Sequence, residues 1–244
     1  QGNGLHASPG AILVSGGTQI RDNGGWGIFA QTGPVTVLKD TLEGVTGNDL
    51  GGISASGGLS LPEGFLVVGN GGPGIRLQNC NLQLTDVQIR KNAGHGIDLE
   101  RAGLVVLGTD SDIQHNRGDG LRAYASAVNV TQADISHNDG WGVYAYGAGP
   151  LAMSSTTLHG NALGGILGSD VNFLGHRLTV NLNEGHGLML SRGSLSIRDG
   201  QISSNEGYGV YAAAVQPKLV DLVVSGNTSG GIAFETWHDD WADV

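Results

Sequence analysis

Cysteine is almost missing from this chain. Cys80 is the only one, so no internal disulfide can form and strand packing alone must supply stability. Cations are scarce: 12 Lys and Arg stand against 22 Asp and Glu, a net charge of −10. That balance argues against a nucleic-acid partner or an anionic-membrane surface, because both need clustered positive charge. Charged residues of either sign make up only 14%, so the surface is expected to be mostly Gly, Ser, Thr, Asn and Gln. No stretch approaches the ~20 apolar residues of a membrane span, so no membrane insertion is expected. The chain has no initiating Met and no signal-peptide pattern at Gln1. The expectation is a mature product or an excised segment, with flanking domains of a longer chain.

Glycine, by contrast, is abundant, at 44 of 244 residues. Glycine and proline together still fall below the ~25–30% that marks low-complexity disorder, and the glycines sit at fixed phases. An Asn is followed four residues on by Gly and then by Ile, Leu or Val. The frame recurs at Asn23/Gly27, Asn48/Gly52, Asn70/Gly74, Asn92/Gly96, Asn116/Gly120, Asn138/Gly142, Asn161/Gly165, Asn183/Gly187, Asn205/Gly209 and Asn227/Gly231. Gly4 opens a partial first copy. The steps between successive glycines are 23, 25, 22, 22, 24, 22, 23, 22, 22 and 22 residues. So regular a period along the whole chain is a repeat architecture.

Taking the repeat glycine as position 0, position +1 is always aliphatic, from Leu5 and Ile28 to Ile232, and +3 is small or apolar. Positions +2 and +4 are mixed, so the alternation describes a strand with one face inward. A second strand precedes the Asn, centred on Ile20, Val45, Val67, Ile89, Ile113, Ile135, Leu158, Val180, Ile202 and Val224. A third shows as 82–84, 105–107, 128–130, 151–153 and 195–197. Three short strands per coil, with turns too short for helices, predict an all-β parallel β-helix of about ten coils, ~48 Å long at the usual strand spacing. An Asn at the same turn of every coil predicts a stacked amide ladder. Left-handed backbone is expected at that Asn and at the glycines at −2 (Gly25, Gly72, Gly94, Gly118, Gly140, Gly185, Gly207). Leu50, Leu163 and Ser229 interrupt the −2 column, and each is followed by Gly.

The Asn-x-Gly-x-Gly-[Ile/Leu/Val] frame at this period resembles the right-handed parallel β-helix repeats of the pectate-lyase-like superfamily, from Gly4 to about Phe234. The resemblance implies the right-handed fold. For function it implies a choice among pectate lyases, polygalacturonases, mannuronan epimerases, phage tailspikes and noncatalytic surface domains. Gly94-His95-Gly96 and Gly185-His186-Gly187 look like the Gly-His-Gly element of polygalacturonases, but the Asn-Thr-Asp and Arg-Ile-Lys elements are absent. The Asp-Pro-His element of alginate epimerases is absent as well.

A solenoid works through its outward columns. Arg76, Asp98, Arg122 and Tyr144 occupy +2 on successive coils; Glu100, Tyr124 and Tyr146 occupy +4; His95, Asp119 and Trp141 occupy −1. Together these ten residues are the candidate saccharide-binding face, with rings to stack on sugar C–H faces and Arg and Asp to hydrogen-bond hydroxyls or carboxylates. The competing account is a solvated face whose charges pair across strands at ~0.2–1 kcal/mol each. Asp98 and Glu100, ~7 Å apart on one strand, fall in the inverting-hydrolase window. For a lyase, Arg122 would neutralise a uronate and Tyr144 or His95 would take the proton.

No cofactor and no metal site is expected. His115 and His137, one coil apart at −5, are read as exposed turn residues. Asn129-Val130-Thr131 and Asn227-Thr228-Ser229 match the glycan-acceptor pattern, with Asn227 expected to be buried in the ladder. Residues 1–234 are expected to form one β-helix domain. Residues 235–244, with Trp237, Trp241 and the His238/Asp239/Asp240 run, are expected to form a tail or partial cap over an open strand edge. The preferred function is a noncatalytic extracellular, cell-surface or periplasmic rod whose partner is a polysaccharide. The alternative is a polysaccharide lyase, epimerase or hydrolase. Coil regularity favours the first, since short turns leave little to wall a cleft.

Overall fold

The computed structural model describes residues 2–15, 18–38, 44–147 and 149–235. The expectations placed on Trp237, His238, Asp239, Asp240 and Trp241 lie outside the described residues.

Every strand pairs in parallel with the strand one coil away. In the first column Leu5 pairs with Ile28, Ile28 with Ile53, Ile53 with Ile75 and Ile75 with Ile97. The column continues through Leu121, Val143, Ile166, Leu188 and Val210 to Ile232. The register therefore advances by the spacing of the repeat glycines in every coil. A second column runs from Ile12–Val14, Val35–Val37 and Leu59–Ser60 through Leu82–Leu84, Leu104–Leu107 and Ala127–Thr131 to Pro150–Ser154. Its first three strands were not marked by the sequence pattern. A third column holds Phe65–Val68, Val87–Arg90, Ser111–Gln114, Ala133–Ser136 and their equivalents. In the last coils the strands run on through the corners, as Gly164–His176, His186–Ser203 and Tyr208–Ser225. Among the described residues there is no helix long and apolar enough to cross a membrane.

The inward positions fill the interior: Ile28, Ile53, Ile75, Ile97, Leu121, Val143, Ile166, Leu188 and Val210 are fully buried, with Phe65 and Phe173 filling the wider parts. The Asn column forms a continuous ladder. Each Nδ2 donates to the Oδ1 of the next Asn, from Asn23 to Asn48, Asn70, Asn92, Asn116, Asn138, Asn161, Asn183, Asn205 and Asn227, at 2.8–3.0 Å. From Asn48 to Asn205 the residues are 0–1% exposed. Asn23 and Asn227, at the ends, are half-buried, so Asn227 is more open than the sequence suggested.

Apart from Gly51, Gly164 and Gly230, which follow the interruptions of the −2 column, positive φ is not where the repeat placed it. Neither the ladder Asn residues nor the −2 glycines have positive φ. Three other columns do. Lys91, His115 and His137 turn one corner, Arg101 and Ala125 another, and Asp86, Asp110 and Gln132 the third, all at φ of 48–57°. The −2 glycines are required by close approach instead: a Cβ on Gly94 would stand 2.7 Å from Pro73 N and 2.9 Å from the Gly72 carbonyl carbon. The three exceptions share one cause. Trp26, Trp141 and Tyr208 lay their rings over the next coil, where Gly51, Gly164 and Gly230 sit at φ of 154°, 145° and 139°. A side chain there would collide with the ring.

Candidate functional site

On the outer face of the first column, the +2 and +4 side chains of four coils enclose an open groove of about 500 Å³. Its lining is Arg76, Gln78, Asp98, Leu99, Glu100, Arg122, Tyr124, Tyr144 and Tyr146. Register places Arg76, Asp98, Arg122 and Tyr144 in one line across neighbouring strands. Glu100, Tyr124 and Tyr146 form the parallel line two residues on.

Asp98 is the keystone of the floor. Arg76 donates through Nε to Asp98 Oδ2 at 3.0 Å, with its Nη2 also 3.0 Å away, and Arg122 donates through Nε to Oδ1 at 2.9 Å. The Asp98 side chain is 6% exposed, whereas both arginines are about two-fifths exposed. One buried carboxylate thus orients two solvent-facing guanidiniums. Among the described residues Arg122 bonds through its Nε alone, which leaves the donors of both terminal nitrogens unused in a side chain that lines the groove. The Arg76 guanidinium also lies 5.9 Å from the Trp26 ring centre, within cation–π reach.

The wall is aromatic. Tyr124 and Tyr146 stack with centroids 5.7 Å apart and planes 9° from parallel. Each therefore covers one face of the other, and both side chains remain exposed at the groove. Glu100 accepts from Gln78 Nε2 at 2.8 Å and lies 3.4 Å from Arg101 Nη2. The Asp98/Glu100 pair weighed for hydrolysis is thus engaged by groove neighbours on both members.

The −1 residues do other work. Asp119 N–H donates to His95 Nδ1 at 2.9 Å, and Trp141 N–H donates to Asp119 Oδ1 at 2.8 Å. Tyr208 N–H donates to His186 Nδ1 at 2.9 Å. His95 and Asp119 therefore accept backbone N–H groups from the next coil and Trp141 lays its ring over Gly164; none of the three lines the groove. Gly-His-Gly is here a stacking device. Gln78 belongs to the groove and was missed, although visible in the +4 column as the neighbour of Glu100; Leu99 lies beneath the groove with its side chain in the core.

Elsewhere, His115 and His137 stack at 5.1 Å and His137 meets His159 edge-on at 4.8 Å. Among the described residues no three His, Cys, Asp or Glu side chains converge as metal ligands do.

Solved structures with the same architecture include two from Azotobacter vinelandii. The A-module of mannuronan C-5 epimerase AlgE4 superposes with a TM-score of 0.55 at 14% identity, over 91% of this chain and 70% of that one. The A-module of AlgE6 gives 0.57 at 15%, over 91% and 67%. A double mutant of the periplasmic alginate epimerase AlgG gives 0.55 at 16%, over 93% of this chain and 61% of that one. At these identities the likeness is one of fold. No curated protein matches the sequence. The profile of the right handed beta helix region matches residues 73–240, and the chain belongs to that family.

Proposed function

We propose that this protein is a noncatalytic β-helix rod, working outside the cytoplasm, that holds a polysaccharide in the groove of Arg76, Arg122 and Tyr144. The observation that carries this reading is the shared Asp98. A buried carboxylate fixes two partly exposed guanidiniums that line the groove, a fixed donor array suited to sugar hydroxyls and carboxylates. The fold likeness to proteins named as mannuronan and alginate epimerases makes a polyuronate the first ligand to try. Both groove carboxylates are bonded to neighbours, and the groove is open to water, which suits binding better than proton abstraction from carbon.

A second reading, a lyase or epimerase, draws on one contact. Tyr144 stands on the strand next to Arg122, an anion fork beside a group able to transfer a proton.

Calorimetry with polymannuronate tests the groove as a binding site. For a binding groove, Arg122→Ala weakens affinity roughly 10- to 100-fold, the value of hydrogen bonds to a charged group. Tyr144→Phe changes it by no more than about threefold. No binding by the wild type would sink the proposal.

A further inference from the structure

Beyond the groove, the same outward column continues through Leu167 and Met189 to Tyr211. These three side chains are half-buried and face outward, where they take no part in the core. At Tyr211 a second aromatic group appears. The His186 ring stacks on Tyr208 at 5.9 Å and on Tyr211 at 5.6 Å, and the two tyrosines are 6.1 Å apart. The group is held in place. His186 Nδ1 accepts the Tyr208 N–H, which leaves its proton on Nε2, and burial pushes the imidazole pKa down, so the ring favours its neutral form. Tyr208 lies against Gly230, and the Tyr211 hydroxyl is hydrogen-bonded to Glu235.

We infer that the His186–Tyr208–Tyr211 platform is a second, distal sugar subsite, and that the protein therefore recognises an extended polysaccharide laid along the rod axis rather than a short oligosaccharide or a chain end. This rests on the polysaccharide reading of the groove.

The geometry supports it in three ways. Tyr144 and Tyr211 are separated by three strand steps, ~14 Å. One such step is close to the length of one pyranose unit in an extended chain, so about six units run from the Asp98 strand to the Tyr211 strand. The intervening Leu167 and Met189 carry no charge that would repel or trap a sugar ring. The two ends are also complementary: the groove offers charged donors, while the platform offers rings with polar edges, the combination that fits the alternating polar rim and C–H face of a pyranose.

The test is calorimetry with oligomannuronates graded from dimer to octamer, on the intact protein. The expected result is binding of the trimer through the groove and a rise in affinity of roughly tenfold between trimer and hexamer. Tyr211→Ala should remove that rise and leave trimer binding unchanged; Tyr211→Phe, which keeps the ring, should retain it. Leu167→Glu, on the path between the two sites, should weaken hexamer binding only, and it keeps the test decisive if Tyr211→Ala fails to fold. Trimer binding without a length-dependent rise, or a rise that survives both Tyr211→Ala and Leu167→Glu, overturns the distal subsite while leaving the groove intact. Absence of binding at every length overturns both.

Discussion

Asn138 shows how much one residue can carry in a solenoid. Its Oδ1 accepts from both the backbone N–H and the Nδ2 of Asn116, at 3.1 and 3.0 Å. Its own Nδ2 donates to Asn161 Oδ1 at 3.0 Å and to the Ile113 carbonyl at 3.1 Å. All four hydrogen-bonding positions of the amide are filled while the residue is 1% exposed. Asn138→Ala would leave the Asn116 backbone N–H without its acceptor and take one bond each from Asn116 Nδ2, Asn161 Oδ1 and the Ile113 carbonyl, while Asn161 Oδ1 keeps the Asn138 N–H and Asn116 Nδ2 keeps the Ile89 carbonyl. At ~1–3 kcal/mol for each unsatisfied buried group, partly relieved by local shifts, a loss of about 3 kcal/mol is expected in denaturant unfolding. A loss below about 1 kcal/mol would mean that water or neighbouring carbonyls replace the amide.

At the scale of single elements, the third strand column carries a feature with a pH signature. His115, His137 and His159 come together on adjacent coils. His137 is exposed, but partial desolvation beneath the stacked rings pushes its pKa down from 6.5, and the neighbouring His159 and His115 push it further, against the opposing pull of Asp134. His186 is lowered by burial as well. A histidine held neutral by the fold contributes stability that is complete above 6.5 and is lost as the pH falls below that value. Asp112 acts in the opposite sense at lower pH. Burial, then Asp134, raises its pKa above 3.8, so its contribution is present in acid and lost as pH rises through the raised value. Over the interval just below pH 6.5 the histidines should dominate. Unfolding midpoints should fall across that interval, and His137→Asn, which keeps a residue tolerant of φ 53°, should flatten the fall. A slope unchanged by that substitution would remove His137 from the explanation.

The same elements show what was legible in the sequence. The repeat glycine and the Asn are chemically fixed in every coil, since no other side chain clears Gly120 O and Asn116 Nδ2 at Gly96, or closes a ladder. They gave the register strand by strand. The three left-handed corners were invisible because their side chains face outward and only the backbone is constrained. Lys91, Arg101, Ala125 and Asp110 share a φ near 50° and nothing else. His159 escaped notice because it reaches the stack from a strand position one residue before the corner. In the site, the +2 and +4 columns were readable from alternation alone. In the −1 column, placed on the face by alternation, His95 and Asp119 turn back to accept backbone N–H groups outside the groove lining, a role that alternation does not reveal.

At the scale of the whole molecule, a rod of about ten coils places every outward column in a straight line. Function is then a matter of which coils carry which side chains. The net charge of −10 gives no long-range attraction for an anionic polymer, so affinity must come from the local Arg76–Asp98–Arg122 array and the tyrosines around it. The central claim is that this array holds a glycan without transforming it, and the most direct measurement is solvent-deuterium incorporation at C5 of polymannuronate held with the protein in D2O. Both lyase and epimerase chemistry must remove that proton, and an epimerase returns one from solvent. The account predicts saturable binding, weakened roughly 10- to 100-fold in Arg122→Ala, with no deuterium at C5 above the protein-free blank and no absorbance from unsaturated uronate. Deuterium incorporation or an unsaturated product with the wild type, lost in Tyr144→Phe, would contradict it and make the groove an active site.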